Sequence, residues 1–195
     1  MAKYWGYVLV PHESYLAWKT ATNGNGYDVD STYGSQCWDL ASLFWYNIGF
    51  PQGYPHLIGV DAYTMWQLRE ENASYNGTTY FTFVFNVNEV KQGDIMVFNQ
   101  TQSNPAGHVG FADVDFATWT PDPNQPYEFP ILSENNGGTP DPAGGSYTNI
   151  HGYDYRLFIG AFRYVDWQSR PTIKRKPVKN RFPWAIYARK LRSQR

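Results

Sequence analysis

A single thiol gives this sequence its clearest chemistry. Cys37 is the one cysteine among 195 residues, and apolar residues at helical spacing follow it at positions 40, 43, 44 and 48. In the first turn of a helix, free backbone N–H groups and the helix dipole favour an anion and lower a thiol's pKa. The placement suits a thiolate nucleophile, although a small buried core residue would show the same pattern.

A thiol nucleophile needs an imidazole close by, and the chain has four histidines. His108 is the best candidate because it stands where a loop enters an apolar strand, which places a side chain at a rim. His12, His56 and His151 lie beside Pro or Gly in loop-like stretches and are interpreted as surface residues. We therefore expect His108 to be the catalytic base.

A third group must fix the imidazole. Alternation along a strand puts Glu134 and Asn136 on one face, where either side chain could accept the imidazole N–H. A carboxylate would also stabilise the imidazolium. A polar strand end entering a glycine turn explains the same residues without catalysis, and Ser133 with Asn135 is the alternative register.

An oxygen-rich loop precedes the cysteine. With Asp28 as position 1, Asp30, Thr32, Gly34 and Asp39 fall at positions 3, 5, 7 and 12, the ligand positions of an EF-hand loop. Position 6 is tyrosine where glycine is expected, and position 12 is an aspartate of shorter reach, so a complete EF-hand is not predicted. An ordinary Asp-rich turn beside a helix start is the alternative. Zinc is disfavoured because there is no HExxH motif and no second cysteine.

The order of the predicted elements indicates the fold class. Helices come first and strands later, which predicts an α+β fold with a mainly antiparallel sheet packed against the cysteine helix. Ser35 is expected to cap that helix. The predicted helices span residues 13–21, 35–47 and 61–71, and the predicted strands span 80–87, 94–98, 108–114, 129–134 and 158–165.

Charge divides the chain into two parts. Residues 1–169 hold 6 Lys+Arg and 17 Asp+Glu, a net −11, whereas residues 170–195 hold 10 Lys+Arg and no acid. We expect a domain over 1–168 and a basic linker or tail over 169–195, which would either be solvated or bind anionic polymers. Nothing in this tail predicts a fold that recognises specific nucleic-acid bases. No apolar run is long enough for a membrane-spanning helix, and no signal peptide is evident.

Four blocks of sequence together resemble the CHAP domain. They are GSQCWDL, VKQGDIMVF, GHVGFA and LSENN, within residues 10–166. This family comprises cysteine, histidine-dependent amidohydrolases/peptidases with a papain-like fold related to NlpC/P60. The resemblance implies that Cys37 is the nucleophile and His108 the base. It further implies that Glu134 is the orienting acid and Asn136 a fourth polar member, with Gln36 as a second oxyanion donor beside the Cys37 N–H.

The resemblance also implies a function and a cofactor. We expect a peptidoglycan hydrolase of the phage endolysin or virion-associated lysin type, which cleaves the muramoyl–L-alanine amide or a stem or cross-bridge peptide bond. Several endolysins of this family carry a similar calcium loop, so Asp28, Asp30 and Asp39 would bind Ca²⁺ through side chains. Thr32 and Gly34 would bind it through carbonyls.

Further expectations concern partners and place of action. The chain would be made in the host cytoplasm without a signal peptide, act on the cell wall as a monomer, and contact anionic wall polymers through residues 170–195. One rival is a catalytically idle wall-binding or virion structural module. Another is a papain-like enzyme acting on proteins or small amides.

Overall fold

The apolar periodicity of the sequence corresponds to helices and strands in the structure, which is a computed structural model. It describes residues 2–50, 57–137 and 139–169. The predicted basic tail and His56 lie outside these ranges. The helices are α1 Tyr15–Thr22, α2 Cys37–Asn47, α3 Ala62–Gln67, α4 Arg69–Ala73 and α5 Val165–Ser169. The strands are β1 Lys3–Trp5, β2 Gly26–Asp28, β3 Ser74–Tyr75, β4 Thr78–Thr79, β5 Phe81–Val84, β6 Ile95–Phe98, β7 His108–Ala112, β8 Glu128–Ser133, β9 Asn149–Asp154 and β10 Phe158–Tyr164.

The main sheet has six strands in the order β5-β10-β6-β7-β8-β9, and every neighbouring pair is antiparallel. Strand β10, the last described strand, lies between β5 and β6. Two small pairs complete the strands: β1 runs parallel to β2, and β3 and β4 form an antiparallel pair. The predicted α+β class with a mainly antiparallel sheet is confirmed.

The sheet is apolar on both faces because side chains alternate along its strands. On β6, Ile95 and Val97 join the larger core with the helices, whereas Met96 and Phe98 join a second apolar cluster. Helix α2 packs on β7. In that contact Phe44 is fully buried, with its ring centroid 5.3 Å from that of Phe111. This packing fixes the cysteine helix against the strand that begins with His108.

Local predictions held for most elements and failed at specific positions. The helix predicted over 61–71 is divided at Leu68 into α3 and α4. The prediction that Ser35 caps the cysteine helix is wrong. Gln36 is the N-cap residue, and its backbone N–H donates to the Asp39 carboxylate at 3.0 Å. Ser35 bonds instead to Asp141. Strand β9 and the parallel β1–β2 pair were not predicted. Across the described ranges, no helix has the length and apolar character needed to cross a membrane.

Candidate active site

Cys37 is the first residue of α2 and borders an open cleft. Asp39 holds the helix start in place, since its two carboxylate oxygens accept the N–H groups of Gln36 at 3.0 Å and Val29 at 3.1 Å. The cleft has a volume of about 410 Å³. Cys37 is partly exposed and is one of the residues that line this cleft. The lining residues are Asp30, Thr32, Tyr33, Gln36, Cys37, Trp38, Asp39, Gly59, Val60, Asp61, Ala62 and Ala106.

Backbone N–H groups surround the Cys37 sulfur. Burial raises the pKa of the thiol to about 12, while hydrogen bonds from the backbone of Val109 and of Trp38 act in the opposite direction. The nearby carboxylates of Asp39 and Glu134 contribute to the increase. The thiol is therefore neutral near pH 7 in this state. Val109 directly follows His108, so the sulfur lies at the strand that carries the predicted base.

His108 begins β7, but the expectation that it lies at a rim is wrong, because its side chain is packed inside and only 2 % exposed. Burial lowers the pKa of its imidazole to about 3, so the ring is also neutral near pH 7. Its Nε2 has no hydrogen-bond partner among the described residues. One face of the ring is covered by Tyr153 of β9, at 4.4 Å between centroids.

The structure brings thiol and imidazole into one neighbourhood as a neutral pair. The sulfur contacts the backbone of Val109, and Tyr153 interacts with both His108 and Cys37. No hydrogen bond joins the thiol to the imidazole within the described ranges. Catalytic hydrogen bonds are often long without substrate and shorten in the complex. Their roles as nucleophile and base stay predictions.

Glu134 and Asn136 are both buried, and Glu134 is close enough to Cys37 to affect the pKa of its thiol. The described hydrogen bonds of Glu134 join its Oε1 to the Tyr27 N–H at 2.6 Å and to the Thr148 hydroxyl at 3.3 Å. They thus connect it to β2, not to the imidazole. Burial raises the pKa of Glu134 well above its usual range. Its Oε2 and the Nδ2 of Asn136 have no described partner. The orienting role of either residue stays a prediction.

The alternative register also contacts the site. The Ser133 hydroxyl donates to the Val109 carbonyl at 2.6 Å, next to the predicted base. The Asn135 amide donates to Gln36 Oε1 at 2.8 Å. The Gln36 Nε2 in turn donates to the Tyr33 carbonyl at 2.8 Å, which leaves one of its N–H groups for another acceptor. Gln36 lines the cleft next to Cys37, and its oxyanion role stays a prediction.

Three of the predicted calcium ligands lie together. Carboxylate oxygens of Asp28, Asp30 and Asp39 all lie within 4.8 Å of one another. Burial raises the pKa of Asp39 to about 8, and the neighbouring Asp30 and Asp28 raise it further. The Oδ1 of Asp28 is buried without a hydrogen-bond partner among the described residues. This donor set of hard oxygens, with one orphaned atom, fits Ca²⁺.

The two predicted carbonyl ligands lie in the same loop. Thr32 is exposed and lines the cleft. Gly34 has a φ of +73°, and a Cβ there would lie 2.5 Å from the Gly144 carbonyl oxygen. Glycine is therefore required at position 34, because the loop passes directly against residues 143–145.

Lys3 and Asp141 support this loop and were missed in the sequence. The Lys3 ammonium lies 2.7 Å from the Asp141 carboxylate and 3.6 Å from that of Asp28. Asp141 also accepts the Ser35 N–H at 3.0 Å and the Ser35 hydroxyl at 2.7 Å. Burial alone would raise the pKa of Asp141, but the hydrogen bonds from Lys3, Ala143 and Ser35 lower it to about 2. Lys3 and Asp141 are 138 residues apart, so no local sequence pattern could have predicted that they pair.

Comparison with known proteins decides the family. The model of the CHAP domain matches residues 22–120, which is half of the chain. The chain belongs to the CHAP domain family. The matched segment of this CHAP domain contains Cys37, His108 and the whole acidic loop, whereas Glu134 and Asn136 lie beyond it.

Two relatives extend the comparison of this CHAP domain. The D-alanyl-L-alanine endopeptidase of Streptococcus phage B30 is 32 % identical over 165 residues, which cover 82 % of this chain and 32 % of that protein. The chain thus spans about a third of that relative's length. The crystal structure of the wild-type endolysin LysIME-EF1 matches with a TM-score of 0.55 and 19 % identity, covering 80 % of this chain and 65 % of that one. This likeness shows a shared fold.

Proposed function

We propose that this chain is a peptidoglycan hydrolase of the phage endolysin or virion-associated lysin type, in which Cys37 attacks an amide of the bacterial cell wall. One observation carries the proposal: the sole thiol opens α2 at a substrate-sized cleft and contacts the strand that starts with His108. Two backbone N–H groups lie at the sulfur and would stabilise a thiolate.

The reaction uses Cys37 and Gln36, which line the cleft, and the buried His108 at the start of β7. His108 takes the Cys37 proton as the sulfur adds to the amide carbonyl, and the resulting oxyanion accepts the Cys37 N–H and the spare Gln36 N–H. The imidazolium then protonates the leaving amine, and the C–N bond breaks to give a thioester. Water attacks the thioester as His108 accepts its proton, which releases the acid and restores the thiol. Burial keeps thiol and imidazole neutral until substrate enters.

The related phage enzyme favours one bond. Because the phage B30 protein is a D-alanyl-L-alanine endopeptidase, a D-Ala–L-Ala peptide bond is a better candidate than the muramoyl–L-alanine amide. Digestion of purified streptococcal cell walls, followed by mass spectrometry, tests this. Glycan-bound stems ending in D-Ala, with new N-terminal L-Ala, are expected. Glycan stripped of its peptides would instead identify the muramoyl amide.

Two variants separate an enzyme from an idle binding module. Cys37→Ser and His108→Gln should abolish wall hydrolysis while far-UV circular dichroism stays that of the parent protein. Wall hydrolysis that persists in Cys37→Ser would refute the thiol mechanism. Cell-wall binding by the parent protein, without zymogram clearing, would favour the idle module. General cleavage of casein at comparable rates would favour a less specific papain-like peptidase.

Calcium is the second part of the proposal. We infer that Ca²⁺ binds Asp28, Asp30 and Asp39, with carbonyls of Thr32 and Gly34 completing the set. Support comes from the three clustered carboxylates and the orphaned Asp28 oxygen. When bound, the ion supplies charge compensation next to the start of α2. Isothermal titration with Ca²⁺ should show one site in the parent protein and none in Asp28→Asn.

The basic segment 170–195 and the delivery route belong to the same proposal. Release by a holin or carriage on a particle would bring the enzyme to the wall. A net charge of +10 over 26 residues suits contact with anionic wall polymers as well as a solvated linker. Deletion of residues 170–195 should weaken sedimentation with teichoic-acid-containing walls at low salt if the segment binds them, and leave it unchanged if it is a linker.

A further inference from the structure

The ring of Tyr153 lies flat against the imidazole of His108. Their centroids are 4.4 Å apart and their planes differ by 12°. Tyr153 belongs to β9, two strands away from β7, so simple strand pairing does not impose the contact. Phe98, which pairs with His108 across β6 and β7, lies 4.5 Å from the Tyr153 ring. The imidazole therefore cannot tilt toward Tyr153 unless that ring moves.

The hydroxyl of Tyr153 reaches the loop that delivers His108 to the site. It lies close enough to the side chain of Asn104, within residues 99–107, for that amide to lower the pKa of the phenol. The Asn104 amide donates to the Gly107 carbonyl at 2.7 Å, and the Gly107 N–H donates to the Asn104 carbonyl at 3.2 Å. Gly107 has a φ of +70°, and a Cβ there would lie 2.6 Å from the Phe98 carbonyl oxygen. One tyrosine thus contacts both the ring and the loop before it.

Tyr153 also interacts electrostatically with Cys37, the predicted nucleophile. Burial raises the pKa of its phenol, and Cys37 raises it further when charged. The phenol therefore stays protonated near neutral pH and does not compete with the imidazole for the thiol proton. What remains for Tyr153 is geometry, because its ring forms a flat surface against the imidazole.

We propose that Tyr153 is a positioning residue that sets the plane of the His108 imidazole relative to Cys37. The inference rests on the proposed function, because it requires His108 to accept the Cys37 proton. A misplaced base slows proton transfer without changing the cleft that binds substrate, and a shift of about 1 Å can cost roughly 100-fold in rate. The predicted effect is therefore on kcat and not on KM.

Three variants test the positioning role. Tyr153→Leu removes the stacked surface, Tyr153→Phe keeps it and removes only the hydroxyl, and Tyr155→Leu is the matched control. Tyr155 lies in the same apolar region, where its ring contacts Phe116, Trp119 and Tyr127. The measurement is kcat and KM on a soluble muropeptide released from streptococcal walls, with the melting temperature of each variant.

The expected results differ between the variants. Tyr153→Leu should lower kcat about 10- to 100-fold with KM within about twofold, whereas Tyr153→Phe should stay within about threefold of the parent kcat. Tyr155→Leu should lower the melting temperature without a matching fall in kcat. An equal kcat loss in Tyr153→Leu and Tyr155→Leu, or in Tyr153→Leu and Tyr153→Phe, would overturn the positioning role.

A spectroscopic measurement covers the case in which Tyr153→Leu does not fold. In Cys37→Ser, nuclear Overhauser effects should connect the ring protons of His108 and Tyr153, and the imidazole Hε1 signal should lie upfield because of the aromatic ring current. Absence of these effects overturns the positioning role alone. If the parent protein hydrolyses no muropeptide, the proposed function fails, and the positioning role fails with it.

Discussion

Buried charged groups in this protein meet two different fates. Asp94 is 3 % exposed, and its carboxylate accepts two hydrogen bonds from Arg163, at 2.9 and 2.7 Å, and the Lys91 N–H at 2.8 Å. By contrast, Asp28, His108, Glu134 and Asn136 each have a buried side-chain atom with no hydrogen-bond partner among the described residues, as do Trp18, Trp38 and Arg69.

For the ionisable groups, this difference in hydrogen-bond pairing is informative. A buried charge that serves only the fold needs an internal partner, because an unpaired charge in the interior costs free energy. Groups left without partners are tolerated where an ion, a substrate or a proton transfer will engage them. The Asp94 carboxylate is fully paired, whereas we expect the unpaired atoms of Asp28 and His108 to engage an ion and a proton transfer, respectively.

The largest expected effect comes from breaking the complete pair. Arg163→Met leaves the Asp94 carboxylate buried without its cation and should lower the free energy of unfolding by about 3–5 kcal/mol. Urea denaturation measures this. Activity per folded molecule should not change, since neither residue contacts the cleft. The double variant Asp94→Leu/Arg163→Met should recover much of the loss, and failure to recover would mean that the pair contributes more than mutual charge compensation.

We expect Ca²⁺ binding at the acidic loop to stabilise the fold. Ca²⁺ at about 100 times its dissociation constant should raise the free energy of unfolding by about 2.7 kcal/mol relative to EGTA. Melting in the two conditions is the measurement, and Mg²⁺ at equal concentration is the control for ionic strength. In Asp28→Asn the calcium-dependent shift should disappear. Equal melting temperatures in Ca²⁺ and EGTA would contradict calcium binding at the acidic loop.

His108 should make the fold sensitive to acid. Its folded pKa, about 3, lies below the unfolded value of 6.5, so between these values the unfolded chain binds more protons. Stability is therefore lost as pH falls from 6.5 toward 3, by about 2 kcal/mol at pH 5 from this group alone. His108→Gln should flatten that part of the stability curve by the same amount, and an unchanged acid slope would contradict a buried neutral imidazole.

The smallest expected effect concerns Lys3. Lys3→Met removes one charged partner of Asp141, which keeps the Ser35 and Ala143 N–H groups and the Ser35 hydroxyl. The expected cost is about 1.5 kcal/mol in the free energy of unfolding. Because Lys3 also lies 3.6 Å from Asp28, Ca²⁺ should bind somewhat more tightly in this variant. Weaker calcium binding in Lys3→Met would mean that Lys3 stabilises the conformation of the acidic loop more than it competes with Ca²⁺ for the Asp28 carboxylate.

Sequence reasoning succeeded where the signal is local. Apolar residues at helical spacing predicted the helix after Cys37, and a loop entering an apolar strand predicted where His108 starts β7. The three aspartates were predicted as a cluster because they lie within twelve residues of one another. Fold class followed from the order of helices and strands along the chain.

Contacts between distant residues could not be predicted in this way. The Lys3–Asp141 ion pair and the stacking of Tyr153 on His108 join residues that are far apart in the chain and meet only in the folded structure. Ser35 looked like the better cap by residue type, but Asp141 engages it from 106 positions away, and Gln36 takes the capping position. Strand β9 lacks an alternating apolar pattern, so its pairing with β8 left no periodicity to detect.

Strand β10 lies between β5 and β6, and this position has a consequence for truncated chains. Strands β5 and β6 both pair with it, although it is the last of the described strands to leave the ribosome. A nascent chain that stops short of residue 158 would expose two unpaired edges, each able to bind the same edge of another copy. We therefore expect products truncated before residue 158 to aggregate, because β5 and β6 would lack the strand that joins them.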